Sequence, residues 1–347
     1  MQERWPARRV ALLAVAAPLV AAGVMLVVAG LLRALPEPGG GDVAAGSPSI
    51  AASAVPSGHP TSSPGEAPAP SPSPLRPATP PPDPVLVGAG DIARCDASND
   101  EATAALLERL PGIVFTLGDT AYDAATESEL RDCYGPSWGR YLDRTRFAAA
   151  GNHEYRTRDA APFRAYFGQA AERDGVTWFG EDVGAWHVIV LDANCGQLEG
   201  GCGPDSPQLR WLREDLAASR ARCTLALWHQ PRFSSGMHGN DPSVAPFWDA
   251  LYAAGADLVV NGHDHDYERF RPQDPAGTAD RERGITQLVV GTGGGELRDF
   301  GRPVPNAVVR SSIAHGVLEL TLRSSGWAFR FVSVDGSFSD QGTGACH

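Results

Sequence analysis

The chain has 347 residues, 43% of them hydrophobic and 20% charged, with 29 basic residues, all of them arginine, against 41 acids and a formal net charge of −12. That length suits one large domain or two small ones and excludes a peptide-sized scaffold. Residues 1–84 hold five arginines and five acids, so the whole negative excess falls after residue 84, which argues against a broad electrostatic grip on nucleic acid.

The first element in chain order spans residues 10–32, 23 residues without a charge, with Arg4, Arg8 and Arg9 before it and Arg33 after it. The apolar region of a secretory signal is usually about 7–15 residues long, whereas a bilayer span needs about 20. Residues 1–33 are therefore expected to form a cytoplasmic stub and a signal-anchor helix, with a long cleaved signal peptide as the alternative. The Arg8–Arg9 pair adds a weak hint of twin-arginine export. Both readings place the remainder outside the cytoplasm, membrane-anchored or secreted. Residues 34–84 carry 15 of the 29 prolines, with Ser, Ala and Gly, and no apolar periodicity. Such a segment buries no core and is expected to be a disordered, extended stalk. That leaves 85–347 for the folded domain.

Within it, VLVGAG (85–90), IVFTLG (113–118), RFAAAG (146–151), WHVIVLD (186–192), CTLALWH (223–229) and ADLVVNG (256–262) read as short apolar strands. Between them, DEATAALLERL (100–110), with Asn99 and Asp100 as caps, and PFWDALYAAG (246–255) read as helices. SPQLRWLREDLAA (206–218) is amphipathic, with Leu209, Leu212 and Leu216 on one face. ITQLVVGTGGG (285–295), HGVLELTLR (315–323) and WAFRFVSVDG (327–336) read as closing strands. Early alternation and late strands predict an α/β sandwich with a mixed sheet system.

The cysteines are 95, 133, 195, 202, 223 and 346, an even number, all in the domain. For an exported protein this predicts up to three disulfides, and six cysteines allow 15 pairings. Cys195 and Cys202 bracket a short Gly-rich loop and form the simplest pair; Cys95 with Cys133 and Cys223 with Cys346 would complete the set. No CxxC pair supports a thiolate metal site.

Polar residues end the predicted strands: Asp91, Asp119, Asn152 with His153, His229, and His263 with His265. In open α/β sheets ligands bind beyond the carboxyl ends of the strands. Asp91, Asp119, Tyr122, Asn152, His229, His263 and His265 offer carboxylate, phenolate, amide and imidazole donors, suited to iron, zinc or manganese. If one carboxylate bridges, seven residues give four protein bonds to each of two metals and leave positions open for water and substrate. Each piece alone has a bland reading as a turn, a core tyrosine or a satisfied histidine. Their joint order is far harder to assign to chance.

GAGD (88–91), GDTAY (118–122), GNHE (151–154), LWH (227–229) and GHDH (262–265) together resemble the calcineurin-like metallophosphoesterases, and within them the purple acid phosphatases, over about residues 85–347. The wider family has Asp-x-His in its first motif; here that position is Ala93, and a tyrosine stands three residues after the second aspartate, as in the purple acid phosphatases. The resemblance implies a four-layer αββα sandwich of two mixed β-sheets flanked by helices. It implies two metal ions, Fe(III) held by Asp91, Tyr122 and His265, and a divalent Fe, Zn or Mn held by Asn152, His229 and His263, bridged by Asp119. His153 would not bind metal but lie outside the ligands, hydrogen-bonding the phosphate or protonating the leaving alkoxide, with Glu154 orienting it. His238, nine residues after His229, resembles a second such histidine, and GTGGG (291–295) a family loop near the site.

The implied activity is hydrolysis of small phosphate monoesters by a metal-bound hydroxide. A phosphodiesterase or nucleotide hydrolase on the same scaffold, and a non-catalytic cell-surface binding protein, are the alternatives. The plant-type enzymes carry an additional N-terminal β domain that this chain replaces with residues 1–84, so substrate choice does not transfer.

Overall fold

The computed structural model describes residues 82–347. The anchor expected in residues 1–33 lies outside the described residues, as does the stalk except for residues 82–84. Among the described residues no helix is long and apolar enough to cross a membrane.

Two mixed sheets carry the fold. The first runs in the order Ser339–Ala345, Gly326–Ser333, Gly316–Arg323, Val85–Ala89, Ile113–Leu117 and Thr145–Ala149, the last three parallel to one another and the others antiparallel. The second runs Ala307–Ser311, Tyr267–Phe270, Thr286–Val290, Leu258–Asn261, Cys223–Leu227, Trp186–Val190 and Phe179–Val183, parallel through its centre and antiparallel at both margins. The central strands are apolar on both faces, as strands covered on both sides must be.

Alternation divides each central strand between two cores. Cys223, Leu225 and Leu227 join the layer between the sheets, with Leu86, Phe115, Leu288 and Leu318. Ala226 and Trp228 face the opposite way, onto Leu209 and Leu212 of the helix Pro207–Ala218 and Phe247, Trp248 and Leu251 of the helix Ala245–Ala253. The first sheet is covered on its outer face by the helix Asn99–Arg109 through Ala104, Leu106 and Leu107. The layers are therefore helix, sheet, sheet, helix. Each fully buried Leu or Phe contributes about 1.5–3 kcal/mol relative to exposure.

Ser206 caps its helix by accepting from the Leu209 N–H at 3.2 Å. The expected caps at Asn99 and Asp100 give way to Ser98, whose side chain makes no capping bond. Asn99 instead donates to the Gly294 carbonyl, and Asp100 is buried in the first turn. The three disulfides join Cys95–Cys133, Cys195–Cys202 and Cys223–Cys346. The last ties the end of the chain, at the margin of the first sheet, to the start of a central strand of the second.

The elements that composition did not reveal include the helix Ala161–Phe167, the inner strand Tyr267–Phe270 and several marginal strands. Phe179–Val183 carries Glu181 and Asp182, and Ser339–Ala345 is SDQGTGA, half exposed along its length. Hydrogen bonding to an existing sheet edge, rather than side-chain propensity, makes these segments strands.

One charge cluster around the buried His187 sits on the outer face of the second sheet. His187 Nδ1 lies 2.7 Å from Asp182 Oδ1 and Nε2 lies 2.7 Å from Asp215 Oδ2. Burial works against the imidazolium, but Asp215 and Asp182 outweigh it and raise its pKa. A pKa raised in the folded state stabilises fully below the unfolded value near 6.5, and that stability is lost as pH rises through the folded value. His187→Gln is expected to lower stability by about 1 kcal/mol at pH 5.5, with a smaller loss at pH 9, measured by urea unfolding at both pH values.

Candidate metal centre

The three parallel strands of the first sheet and the central parallel strands of the second deliver their carboxyl ends to one edge. Asp91 follows Val85–Ala89, Asp119 follows Ile113–Leu117, and Asn152 and His153 follow Thr145–Ala149. His229 follows Cys223–Leu227, and His263 and His265 follow Leu258–Asn261.

Asp91 (φ 60°), Asp119 (φ 49°) and His263 (φ 73°) all have left-handed backbone conformations. For a residue other than glycine this costs about 1–2 kcal/mol and persists only where the surroundings enforce it. The enforcement is visible. Asp91 N–H donates to the Gly118 carbonyl at 3.0 Å, and its own carbonyl accepts from Gly295 N–H at 2.7 Å. His263 N–H donates to Asp91 Oδ2 at 2.8 Å. Gly151 and Gly291 have room for no side chain: a Cβ would collide with the Asp119 carboxylate at the first and with the Asp264 carbonyl at the second.

The seven predicted ligands form two groups that meet at Asp119. In one, Tyr122 Oη is 3.0 Å from Asp91 Oδ1 and 3.0 Å from His265 Nε2, with His265 Nε2 3.3 Å from Asp91 Oδ1. In the other, His229 Nε2 is 3.2 Å from Asn152 Oδ1 and 3.1 Å from His263 Nδ1. Asp119 Oδ2 joins them, 3.5 Å from Tyr122 Oη and 3.3 Å from His229 Nε2.

The far nitrogens fix the rings. His229 Nδ1 faces the Leu117 carbonyl at 2.6 Å and His265 Nδ1 faces the Glu296 carbonyl at 2.7 Å. Each Nδ1 must donate, so each Nε2 turns a lone pair inward, as metal-bound histidines do. His229 Nε2 then faces the Asn152 oxygen, an Asp119 oxygen and a second imidazole nitrogen. There are more acceptors than hydrogens to fill them.

The electrostatics express the same deficit of positive charge. Burial opposes ionisation of Asp119, yet His229 and His153 hold its carboxyl below the ordinary range. Burial likewise opposes protonation of His229, but Asp119 and Asp91 push it up to about 10. Burial and then the neighbouring His229 and His238 push His263 down to about 3. Burial, with Asp91 and Asp119 beside it, raises the Tyr122 phenol well above its usual value. The donor set fits two cations sharing one carboxylate.

His153 packs edge-on against Tyr122, ring centroids 4.5 Å apart, with Nδ1 on the Asp123 carbonyl and its backbone N–H donating to Asp119 Oδ1 at 2.9 Å. His238 lies with its ring 4.1 Å from that of His263, and its Nδ1 is 3.0 Å from Asp264 Oδ1.

Glu154 departs from expectation. It does not touch His153. Its buried carboxylate accepts from the N–H groups of Asp119 (2.9 Å), Thr120 (2.7 Å) and Gly151 (2.6 Å) and from the Thr120 hydroxyl (2.8 Å). It is the anchor of the backbone that carries Asp119. The reason is geometric: Glu154 opens a short helical turn that folds back under the Ile113–Leu117 strand end, while His153 points outward. The sequence reading also missed Asp264, although its place between two candidate ligands was a usable signal. Arg156 and Arg298, which approach the outer nitrogens of His153 and His238, have no local signature.

Residues 85–267 match the calcineurin-like phosphoesterase family. The chain belongs to that family. Among curated relatives of this phosphoesterase, purple acid phosphatase 15 of Arabidopsis thaliana is 25% identical over 230 residues, covering 54% of this chain and 41% of that protein. Purple acid phosphatase 18 of the same plant is 31% identical over 131 residues, covering 33% and 28%. The phosphoesterase thus spans less than half the length of these two relatives. Among solved structures, the purple acid phosphatase PPD1 of yellow lupin (Lupinus luteus) seeds superposes with a TM-score of 0.61 at 17% identity, over 76% of this chain and 53% of that one. That likeness carries the fold: two mixed sheets flanked by helices.

Glu154→Ala would strand three buried N–H donors at once. The expected outcome is a loss of about 3 kcal/mol or more, with reduced metal retention after dialysis, read by denaturant unfolding and elemental analysis.

Proposed function

We propose that this phosphoesterase is an exported, purple acid phosphatase-like enzyme that hydrolyses small phosphate monoesters at a dinuclear metal centre. The observation that carries the reading is the pair of ligand groups meeting at Asp119. Asp91, Tyr122 and His265 would hold Fe(III). Asn152, His229 and His263 would hold a divalent ion. Asp119 would bridge the two. When bound, such ions supply charge neutralisation for the phosphate and an activated water.

The chain's own residues do the remainder. His153, held by the Asp123 carbonyl and the face of Tyr122, is placed to give a proton to the departing oxygen. His238, beside His263 and backed by Asp264, is placed to hold a phosphate oxygen on the opposite flank. Three disulfides among the described residues favour an oxidising compartment, with residues 1–33 as the export or anchoring element, 34–84 as the stalk and 85–347 as the catalytic domain.

A domain purified with its metals is expected to contain iron and to absorb visible light through a Tyr122 phenolate. Tyr122→Phe should abolish that absorbance without changing the far-ultraviolet dichroism; colour retained in the variant counts against the iron assignment. His153→Ala is expected to lower turnover of p-nitrophenyl phosphate roughly 10²–10⁴-fold, measured at saturating substrate. Faster hydrolysis of the bis ester than of the monoester by the wild type would shift the reading to a phosphodiesterase.

A further inference from the structure

The central strands of the second sheet gather donors at their amino ends as well. Cys223 opens the strand Cys223–Leu227, and Asp257 immediately precedes the strand Leu258–Asn261. One donor atom each from Cys223, Asp257 and Cys346 lies within 4.8 Å of the others. His347 Nδ1 stands 3.4 Å from Asp257 Oδ1. Among the described residues, the strand-end centre and this cluster are the two places where three or more cysteine, histidine or acid donors converge so closely. The two share no residue.

The backbone holds the carboxylate in place. Asp257 Oδ2 accepts from the Thr224 N–H at 2.8 Å, and Oδ1 accepts from the His347 N–H at 2.9 Å. Its own N–H donates to the Thr224 carbonyl and its carbonyl accepts from the Thr286 N–H, both at 3.1 Å. A carboxylate offers about four lone-pair sites, so both oxygens keep acceptor capacity. The His347 ring is loosely committed: Nδ1 faces the Gly255 carbonyl and Asp257 Oδ1, each at 3.4 Å, long for a hydrogen bond. Cys223 and Asp257 are buried, whereas Cys346 is 9% exposed and a quarter of the His347 side chain is exposed. A pocket of about 450 Å³ reaches Asp257, Cys346 and His347 from outside.

We propose that reduction of the Cys223–Cys346 disulfide turns this cluster into a zinc site held by Cys223 Sγ, Cys346 Sγ, an Asp257 oxygen and His347 Nδ1. Zinc takes four such ligands at about 2.0–2.3 Å, and paired thiolates select it over magnesium or calcium. The reductant is a dithiol. Its thiolate attacks Cys346 Sγ, the more exposed sulfur, and the bond to Cys223 Sγ breaks. The second thiol of the reductant then displaces Cys346 as a thiol and closes the reductant's own disulfide. The dithiol loses two electrons and two protons, and the cysteines gain them. Zinc binding releases the two thiol protons to solvent, with the imidazole hydrogen of His347 on Nε2. The ion would join the same two elements as the disulfide, the start of a central strand and the end of Ser339–Ala345. The end of the chain is thereby held in both redox states. The inference does not depend on the phosphatase reading.

The test uses the purified protein with its metals, before and after reduction by a water-soluble phosphine, and cobalt(II) as the probe. Cobalt–thiolate complexes give a charge-transfer band that oxygen and imidazole ligands do not, so the strand-end centre stays silent. The reduced wild type is expected to show the band, the oxidised protein to lack it, and one equivalent of zinc to remove it. Cys223→Ser needs no reductant: the other two disulfides stay closed and Cys346 keeps a free thiol beside Asp257 and His347. It should show the band with cobalt bound at least tenfold more weakly, and Cys223→Ser/Cys346→Ser should show none. His347→Ala should weaken zinc binding by the reduced protein at least tenfold, as loss of even an outer partner of a metal ligand does. If reduction abolishes the far-ultraviolet dichroism of the wild type, the Cys223→Ser comparison decides. No band in Cys223→Ser, a band retained in the double variant, or zinc affinity unchanged by His347→Ala overturns the site.

Discussion

Everything at this site depends on holding two carboxylates and a phenol together in a dry place. Asp91, Asp119 and Tyr122 are nearly inaccessible to water, and their oxygens lie within 3.0–3.5 Å across the Tyr122 hydroxyl. Like charges so placed repel strongly, and burial removes the solvent that would screen them. The fold resists that repulsion by mechanical means. Two strand ends in left-handed conformation aim the carboxylates inward, and Glu154, itself an acid, spends its oxygens on the backbone beneath Asp119 rather than on any cation. Neutralisation is left to whatever enters the centre.

That arrangement separates two jobs that neighbouring residues perform. His153 and Glu154 are consecutive, yet one faces the opening and the other lies wholly beneath the floor. The same alternation recurs in GHDH: His263 and His265 reach into the centre, while Asp264 turns back to hold His238 through both its backbone N–H and its ring. Outward and inward neighbours at a strand end thus build the site and its support from the same few residues.

Much of this was legible beforehand for a physical reason. A polar residue at the end of an apolar strand has nowhere to go except the common edge, so GD, GNHE, LWH and GHDH could be placed together without coordinates. The central strands and the helix after Ser206 were readable by the same logic, because burial on defined faces imposes periodicity. What burial does not impose was lost. Phe179–Val183 and Ser339–Ala345 are strands because a sheet edge accepts their backbone, and their side chains give no sign of it. Glu154 was assigned to the wrong partner because its true partners are backbone N–H groups, which every sequence has. Arg156 and Arg298 meet the histidines from a 3₁₀ turn and an irregular loop, where spacing carries no rule.

The strand directions also decide where the chain can be held. Val85 begins the strand that leads to Asp91, and Cys223, bonded to Cys346, begins the strand that leads to His229. Each strand is five residues long, so both termini of the described residues sit about 17 Å behind the reactive edge at the usual rise per residue. Tethering residues 82–347 to a bead or an electrode by either end would therefore turn the mouth toward the surrounding liquid.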